Sequence, residues 1–219
     1  CSFLYKKEHE LNDKEILRQI KIAGLHNSFS HFSQYWAQSF YLKYKPTSIY
    51  DPTAGWGSRL WAAQNIYYIY NDTCKETVEG AKNIANFLNL QNKTFYNEDA
   101  ASFTPKENYD CIFLCSPYWT RELFFGDKTS TKLFTNYNDW LNIWWHNTIK
   151  CSLKSSVKIF AFVINNEYKE DMKNVCLNPE FNLELIEEIK LAKSTNKNHF
   201  QRVNKNSFKG ESLIVFKHL

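Results

Sequence analysis

Three aspartates, Asp51, Asp72 and Asp99, each close a short apolar or aromatic run, in SIYD, YYIYND and KTFYNED. If these runs are parallel strands, the three carboxylates reach one sheet edge, the edge at which open α/β sheets bind ligands. A carboxylate only accepts hydrogen bonds, so these residues suit the hydroxyl and amino groups of a nucleoside. Asp72 is placed to accept from both ribose hydroxyls, and Asp99 from an adenine amino group. Between the first two acids, DPTAGWGSRL sets Gly55 and Gly57 in a turn ahead of a helix starting near Ser58 or Arg59. Glycine admits close approach of backbone to ligand, and a helix start offers unpaired N–H groups. The full GxGxxG fingerprint is missing, which argues against a dinucleotide. A second constellation, Cys115, Ser116, Pro117 and Tyr118, follows a fourth apolar run. Its proline fixes a turn, and its aromatic ring suits stacking on a planar ligand.

The elements that must carry these residues alternate between strand and helix. Short apolar runs predict strands near 48–51, 66–70, 93–96, 109–115, 157–164, 183–190 and 212–217, with helices near 57–64, 75–89 and 139–152. This alternation predicts an α/β fold with a mostly parallel seven-stranded sheet flanked by helices. Upstream, LNDKEILRQIKIAGL reads as a helix capped by Asn12 and Glu15 and stopped at Gly24. A second helix is expected from about Ser30 to Lys43, ended by Pro46. Residues 1–219 thus read as a single domain, with 1–45 a helical portion packed on the core. The last two strands are separated by KSTNKNHFQRVNKNSFKG, a polar connection able to join an antiparallel pair.

DPTAGWG, followed by NDT and NED, resembles motif I and the nucleoside-binding acids of the class I S-adenosylmethionine-dependent methyltransferases, whose fold is Rossmann-like. The resemblance implies S-adenosylmethionine as cofactor, with Asp51, Gly55 and Gly57 in the loop around its methionine part and Asp72 and Asp99 on its nucleoside. GLHNSFSHFSQYW is similar to the segment preceding motif I in many amino-methyltransferases; Asn27, Ser28 or Phe29 would then lie beside the cofactor carboxylate, or Ser28 would cap a helix. CSPYWTRELFF resembles the D/N/S-P-P-Y/F/W motif of viral and bacterial enzymes that methylate adenine N6 or cytosine N4. In that alignment Cys115 takes the Asp/Asn/Ser position, Ser116 and Pro117 the two prolines, and Tyr118 the aromatic place. A register starting at Ser116 instead sets Tyr118 on the second proline. Cys115 is a weaker hydrogen-bonding group than the usual residue, and Ser116 does not stiffen the turn.

The implied reaction is direct methyl transfer to an exocyclic amino nitrogen, without a metal or an enzyme-bound methyl. The turn would orient the amine, Tyr118 would stack the base, and Trp119 would support it. Cytosine-C5 chemistry needs a cysteine directly after the proline, whereas Cys115 precedes Ser116 and Pro117. Alternatives are a nucleic-acid-binding subunit with a degenerate turn and a small-molecule amine methyltransferase.

Composition constrains the partners. A formal charge of +4 over 219 residues permits a polyanion without identifying one. Arg121, Lys128 and Lys132 after the turn, and Lys193, Lys197, Arg202, Lys205 and Lys209 in the late connection, suit phosphate contacts. DNA is expected before RNA, and adenine N6 before cytosine N4. Target recognition would come from 120–138, from 193–209, from an upstream domain or from a partner subunit. Six irregularly spaced cysteines form no four-ligand zinc pattern, so reduced thiols are expected. No apolar run reaches membrane-spanning length and no secretory signal opens the chain, which predicts a soluble intracellular protein of a bacterial or virus-infected cytoplasm, or of a nucleus. A Cys at position 1 and a sole Met at 172 imply a natural start upstream.

Overall fold

A computed structural model describes residues 32–119, 129–191 and 210–219. Among the described residues, seven strands form one sheet: β1 Ser48–Asp51, β2 Tyr67–Asn71, β3 Lys93–Tyr96, β4 Cys111–Cys115, β5 Ile159–Asn165, β6 Leu183–Leu191 and β7 Glu211–His218. Their order is β3-β2-β1-β4-β5-β7-β6. The pairings among β1 to β5 are parallel, and β7 runs antiparallel to both β5 and β6. Strand order reverses between β1 and β4, so the loops after them diverge and leave a crevice at the carboxyl edge. Every strand lies within a residue or two of its sequence-based position.

Side-chain alternation sorts the core onto two faces. In β4, Cys111 and Phe113 point one way and Ile112 and Leu114 the other. The first face is covered by α1 Gln34–Tyr44, α2 Ser58–Ala62 and α3 Lys75–Phe87. Ala37, Phe40 and Tyr41 of α1 are buried there, and the Phe40 ring stacks on Phe113 at 4.3 Å. Lys45, left-handed at φ 48°, closes α1 by returning its N–H to the Tyr41 carbonyl. Pro46 follows.

The second face carries α4 Ser130–Leu133, α5 Tyr137–Asp139, a π-helical segment Trp140–Trp145, α6 His146–Ser152 and α7 Lys169–Cys176. The helix expected at 139–152 is therefore interrupted by a π segment, which brings Trp140, Trp144 and Trp145 all into the core. Burying each such ring contributes on the order of 2–3 kcal/mol. α7 has no counterpart among the expected helices, because KEDMKNVC buries only Met172 and Cys176, too few apolar positions to show a helical stripe. Among the described residues, no helix is long and apolar enough to cross a membrane. The expected helix with Asn12 and Glu15, the segment with Asn27, Ser28 and Phe29, and the connection at 193–209 lie outside the described residues.

Candidate functional site

β1 ends at Asp51, which is fully buried. Its Oδ2 accepts from Arg59 Nε at 2.6 Å, its Oδ1 from the Arg59 guanidinium at 3.2 Å and from the Thr53 N–H at 3.3 Å. The Tyr68 hydroxyl also donates to Oδ2. Burial opposes the Arg59 charge, but the adjoining carboxylate outweighs it and holds the guanidinium above its ordinary value. Arg59 reaches on to the Thr53 carbonyl as well. Asp51 is thus the post beneath the glycine loop, its oxygens engaged within the protein.

The loop above it adopts backbone conformations that favour glycine, φ +60° at Gly55 and +84° at Gly57. At Gly57 an added Cβ would stand 3.4 Å from Ile84 Cδ1, whereas at Gly55 it would enter open space. Gly55 donates its N–H to Asp72 Oδ2 at 3.0 Å, and its carbonyl accepts from the Tyr70 hydroxyl. Asp72 Oδ1 accepts from the Cys74 N–H at 2.9 Å. Each of these oxygens keeps lone-pair capacity for a ligand hydroxyl. Burial pushes the Asp72 carboxyl above the usual carboxylate range, with the Cys74 and Gly55 N–H groups pulling the other way.

Asn71 ties this loop to the next. Fully buried, it donates to the Pro52 carbonyl at 3.1 Å and the Glu98 carbonyl at 3.0 Å, and accepts from the Glu98 N–H at 3.0 Å. Asn71 belongs to none of the motifs above; its sequence signal is its place as a polar residue at the last buried position of an aromatic strand. One residue beyond Glu98, half-buried Asp99 accepts at Oδ1 from the Ala101 N–H at 3.1 Å and from Trp144 Nε1 at 3.2 Å. The carboxyl edge of β1, β2 and β3 therefore gathers Asp51, Gly55, Gly57, Asp72 and Asp99.

The turn after β4 adjoins that edge, because Thr53 Oγ1 donates to the Cys115 carbonyl at 2.9 Å. Ser116 is buried and its hydroxyl turns to the Pro117 carbonyl at 3.3 Å. Tyr118, 6% exposed, sits within the core rather than presenting an open face; its hydroxyl donates to Glu211 Oε1 at 2.6 Å and lies 3.9 Å from Cys115 Sγ. Trp119 is half-buried beside Trp140, with ring centroids 6.0 Å apart. Glu211 and Asn165 are register partners on β7 and β5 beside this turn. Asn165 is fully buried and its Nδ2 has no hydrogen-bond partner among the described residues. Neither residue had a local sequence signal. Of the basic residues singled out, Lys132 lies exposed on α4, and the others lie outside the described residues.

No protein-family model matches the chain, and no curated protein sequence does. Solved structures match its fold. An S-adenosylmethionine-dependent methyltransferase from Clostridium acetobutylicum ATCC 824 superposes with a TM-score of 0.58 at 12% identity, over 91% of this chain and 98% of that one. Magnesium protoporphyrin IX methyltransferase from Synechocystis PCC 6803, solved with bound SAM, gives 0.56 at 10% identity, over 97% and 100%. A modification subunit assigned to a type I restriction enzyme from Vibrio vulnificus YJ016 gives 0.60 at 14% identity; the match covers 94% of this chain and 48% of that one. The chain has the Rossmann-like fold of the class I methyltransferases.

Proposed function

We propose that this chain binds S-adenosylmethionine across the ends of β1, β2 and β3 and transfers its methyl group to an exocyclic amino nitrogen of a nucleic-acid base, adenine N6 in DNA foremost. The observation that carries the reading is the joint placement of Asp72, Gly55 and Asp99 around one edge, with the 115–118 turn tied to it through Thr53. The residues fit the cofactor: Asp72 retains acceptor capacity for two ribose hydroxyls, Asp99 Oδ2 is available to an adenine amino group, and a Cβ added at Gly55 would meet open space, the side on which we place the methionine part.

When bound, the cofactor supplies an electrophilic methyl on sulfur. The chain's task is to aim an amine lone pair along the axis of the bond that breaks. Carbonyls and the serine hydroxyl of the 115–118 turn are suited to accept the amine's hydrogens, so that its lone pair faces the methyl. Glu211, hydrogen-bonded to Tyr118, is a carboxylate at this edge able to take the proton the amine must lose. DNA is proposed on the resemblance of the 115–119 turn, with basic segments, an upstream domain or a partner subunit reading the target. Cytosine N4 and RNA bases are the neighbouring choices. The Cys115 and Ser116 departures, together with the buried Tyr118 ring, favour as second reading a nucleic-acid-binding subunit impaired in catalysis.

Radiolabelled transfer from S-adenosylmethionine into matched single- and double-stranded DNA and RNA, followed by nucleoside identification, tests the proposal. Labelled N6-methyladenine in DNA is expected. Cofactor binding by folded protein with no incorporation in any polymer would overturn the enzyme reading in favour of the subunit.

A further inference from the structure

The π segment sends three indole N–H groups in three directions. Trp140 Nε1 donates to Ser130 Oγ at 3.1 Å and Trp145 Nε1 to the Met172 carbonyl at 3.1 Å, each tying one covering helix to another. Trp144 Nε1 instead donates to Asp99, a half-buried carboxylate at the candidate cofactor edge. Trp144 cannot easily turn away: it is 3% exposed, and its ring stacks on Trp140 at 5.4 Å and 18°. A π segment is a costly irregularity that recurs at functional positions. Here its wider turn lets the consecutive rings of Trp144 and Trp145 both enter the core while their N–H groups reach different partners.

We propose that Trp144 is a positioning residue that makes the site selective for a 6-aminopurine, acting through Asp99. The proposal rests on the reading that Asp99 receives the cofactor's adenine. With the Ala101 N–H and the Trp144 indole both on Oδ1, the acceptor sites of that oxygen are filled and the carboxylate plane is fixed. Oδ2 is then held ready for a ligand donor. An adenine amino group supplies that donor. A 6-oxopurine presents a carbonyl oxygen there, and two acceptors repel. A carboxylate free to rotate would discriminate less, because it could turn away from the wrong edge.

The test compares binding of S-adenosylhomocysteine and its deaminated counterpart S-inosylhomocysteine by calorimetry, which needs no methyl acceptor. Trp144→Phe should weaken S-adenosylhomocysteine on the order of tenfold, the loss of a hydrogen bond to a charged group. S-Inosylhomocysteine should change little, so the selectivity ratio falls. In an Asp99→Ala background the same substitution should have no further effect on that ratio. Equal weakening of both ligands, or an undiminished effect without Asp99, would overturn the proposal, since a purely structural tryptophan predicts both. On the unsubstituted protein, the Trp144 indole N–H resonance should shift when S-adenosylhomocysteine binds and stay near its ligand-free position with S-inosylhomocysteine. That measurement decides the matter even if Trp144→Phe fails to fold, and an equal shift with both ligands would count against selectivity. If the unsubstituted protein binds neither compound, the cofactor reading itself has failed.

Discussion

The edge at the ends of β1, β2 and β3 and the edge at the ends of β4 and β5 with the start of β7 are built differently. At the first edge the polar groups are tied to one another: Arg59, Tyr68 and Thr53 load Asp51, Asn71 makes three bonds across two loops, and Asp72 carries two backbone N–H groups. At the second, Ser116 turns to the carbonyl of its own neighbour, Tyr118 is buried against Glu211, and Asn165 Nδ2 has no partner among the described residues. A buried amide without a partner costs about 1–3 kcal/mol. The contrast teaches a division of labour. The first edge is cross-tied from loop to loop, whereas the second carries one buried amide nitrogen, Asn165 Nδ2, without a partner among the described residues, and that group is the one a substrate is expected to engage.

Breaking the first edge should therefore have the largest consequence. Arg59→Ala strands the Asp51 carboxylate in the core, and removing one member of a buried ion pair costs about 3–5 kcal/mol. Urea unfolding should show that loss, and S-adenosylmethionine binding should go with it. If Arg59→Ala lowers stability by less than about 1 kcal/mol, the first edge is not the rigid half and the contrast fails. Asp72→Ala should act next most strongly, and on the ligand: losing hydrogen bonds to a charged acceptor predicts about 2–3 kcal/mol, roughly thirty- to one-hundred-and-fifty-fold in cofactor Kd by calorimetry. The cost to the ligand-free fold should be about 1–2 kcal/mol, for the lost contacts to the Gly55 N–H and to the Cys74 N–H at the start of α3.

Much of this contrast was hidden in the sequence, and for a physical reason. Apolar runs report burial, so seven strands and their alternation with helices were readable, as was the placement of three acids at strand ends. Burial does not name a partner. Tyr118 meets Glu211 across 93 positions of chain, and Trp144 meets Asp99 across 45; neither pair leaves a local pattern. Arg59 was legible as a helix start but not as the counter-ion of Asp51, since an arginine at a helix start is usually solvated. The π segment escaped because WLNIWW fits a helical stripe of either width. The sparse apolar content of α7 concealed it altogether.

Tyr118→Phe probes the second edge with little disturbance, because only the hydroxyl bonded to Glu211 is removed. About a tenfold fall in single-turnover methyl transfer is expected, with cofactor Kd within about twofold. A matched loss in both would mean that the two edges are one cooperative unit.

The smallest expected effect is on pH, and it sharpens the account of Asp72. Burial raises the carboxyl's pKa in the folded protein above its unfolded value. Between those two values the folded state holds more proton than the unfolded one, so the ligand-free fold gains stability as pH falls through the raised value. Cofactor binding must move the opposite way, because a ribose hydroxyl needs the ionised acceptor. Affinity should thus decline by a few-fold over the pH range in which the empty protein becomes more stable. Binding should take place with proton release, visible as a dependence of calorimetric enthalpy on the buffer's ionisation heat. Asp72→Asn, which keeps the shape and cannot titrate, should flatten both profiles. A pH dependence that survives that substitution would move the titrating group elsewhere, and with it the assignment of Asp72 as the ribose acceptor would lose its support.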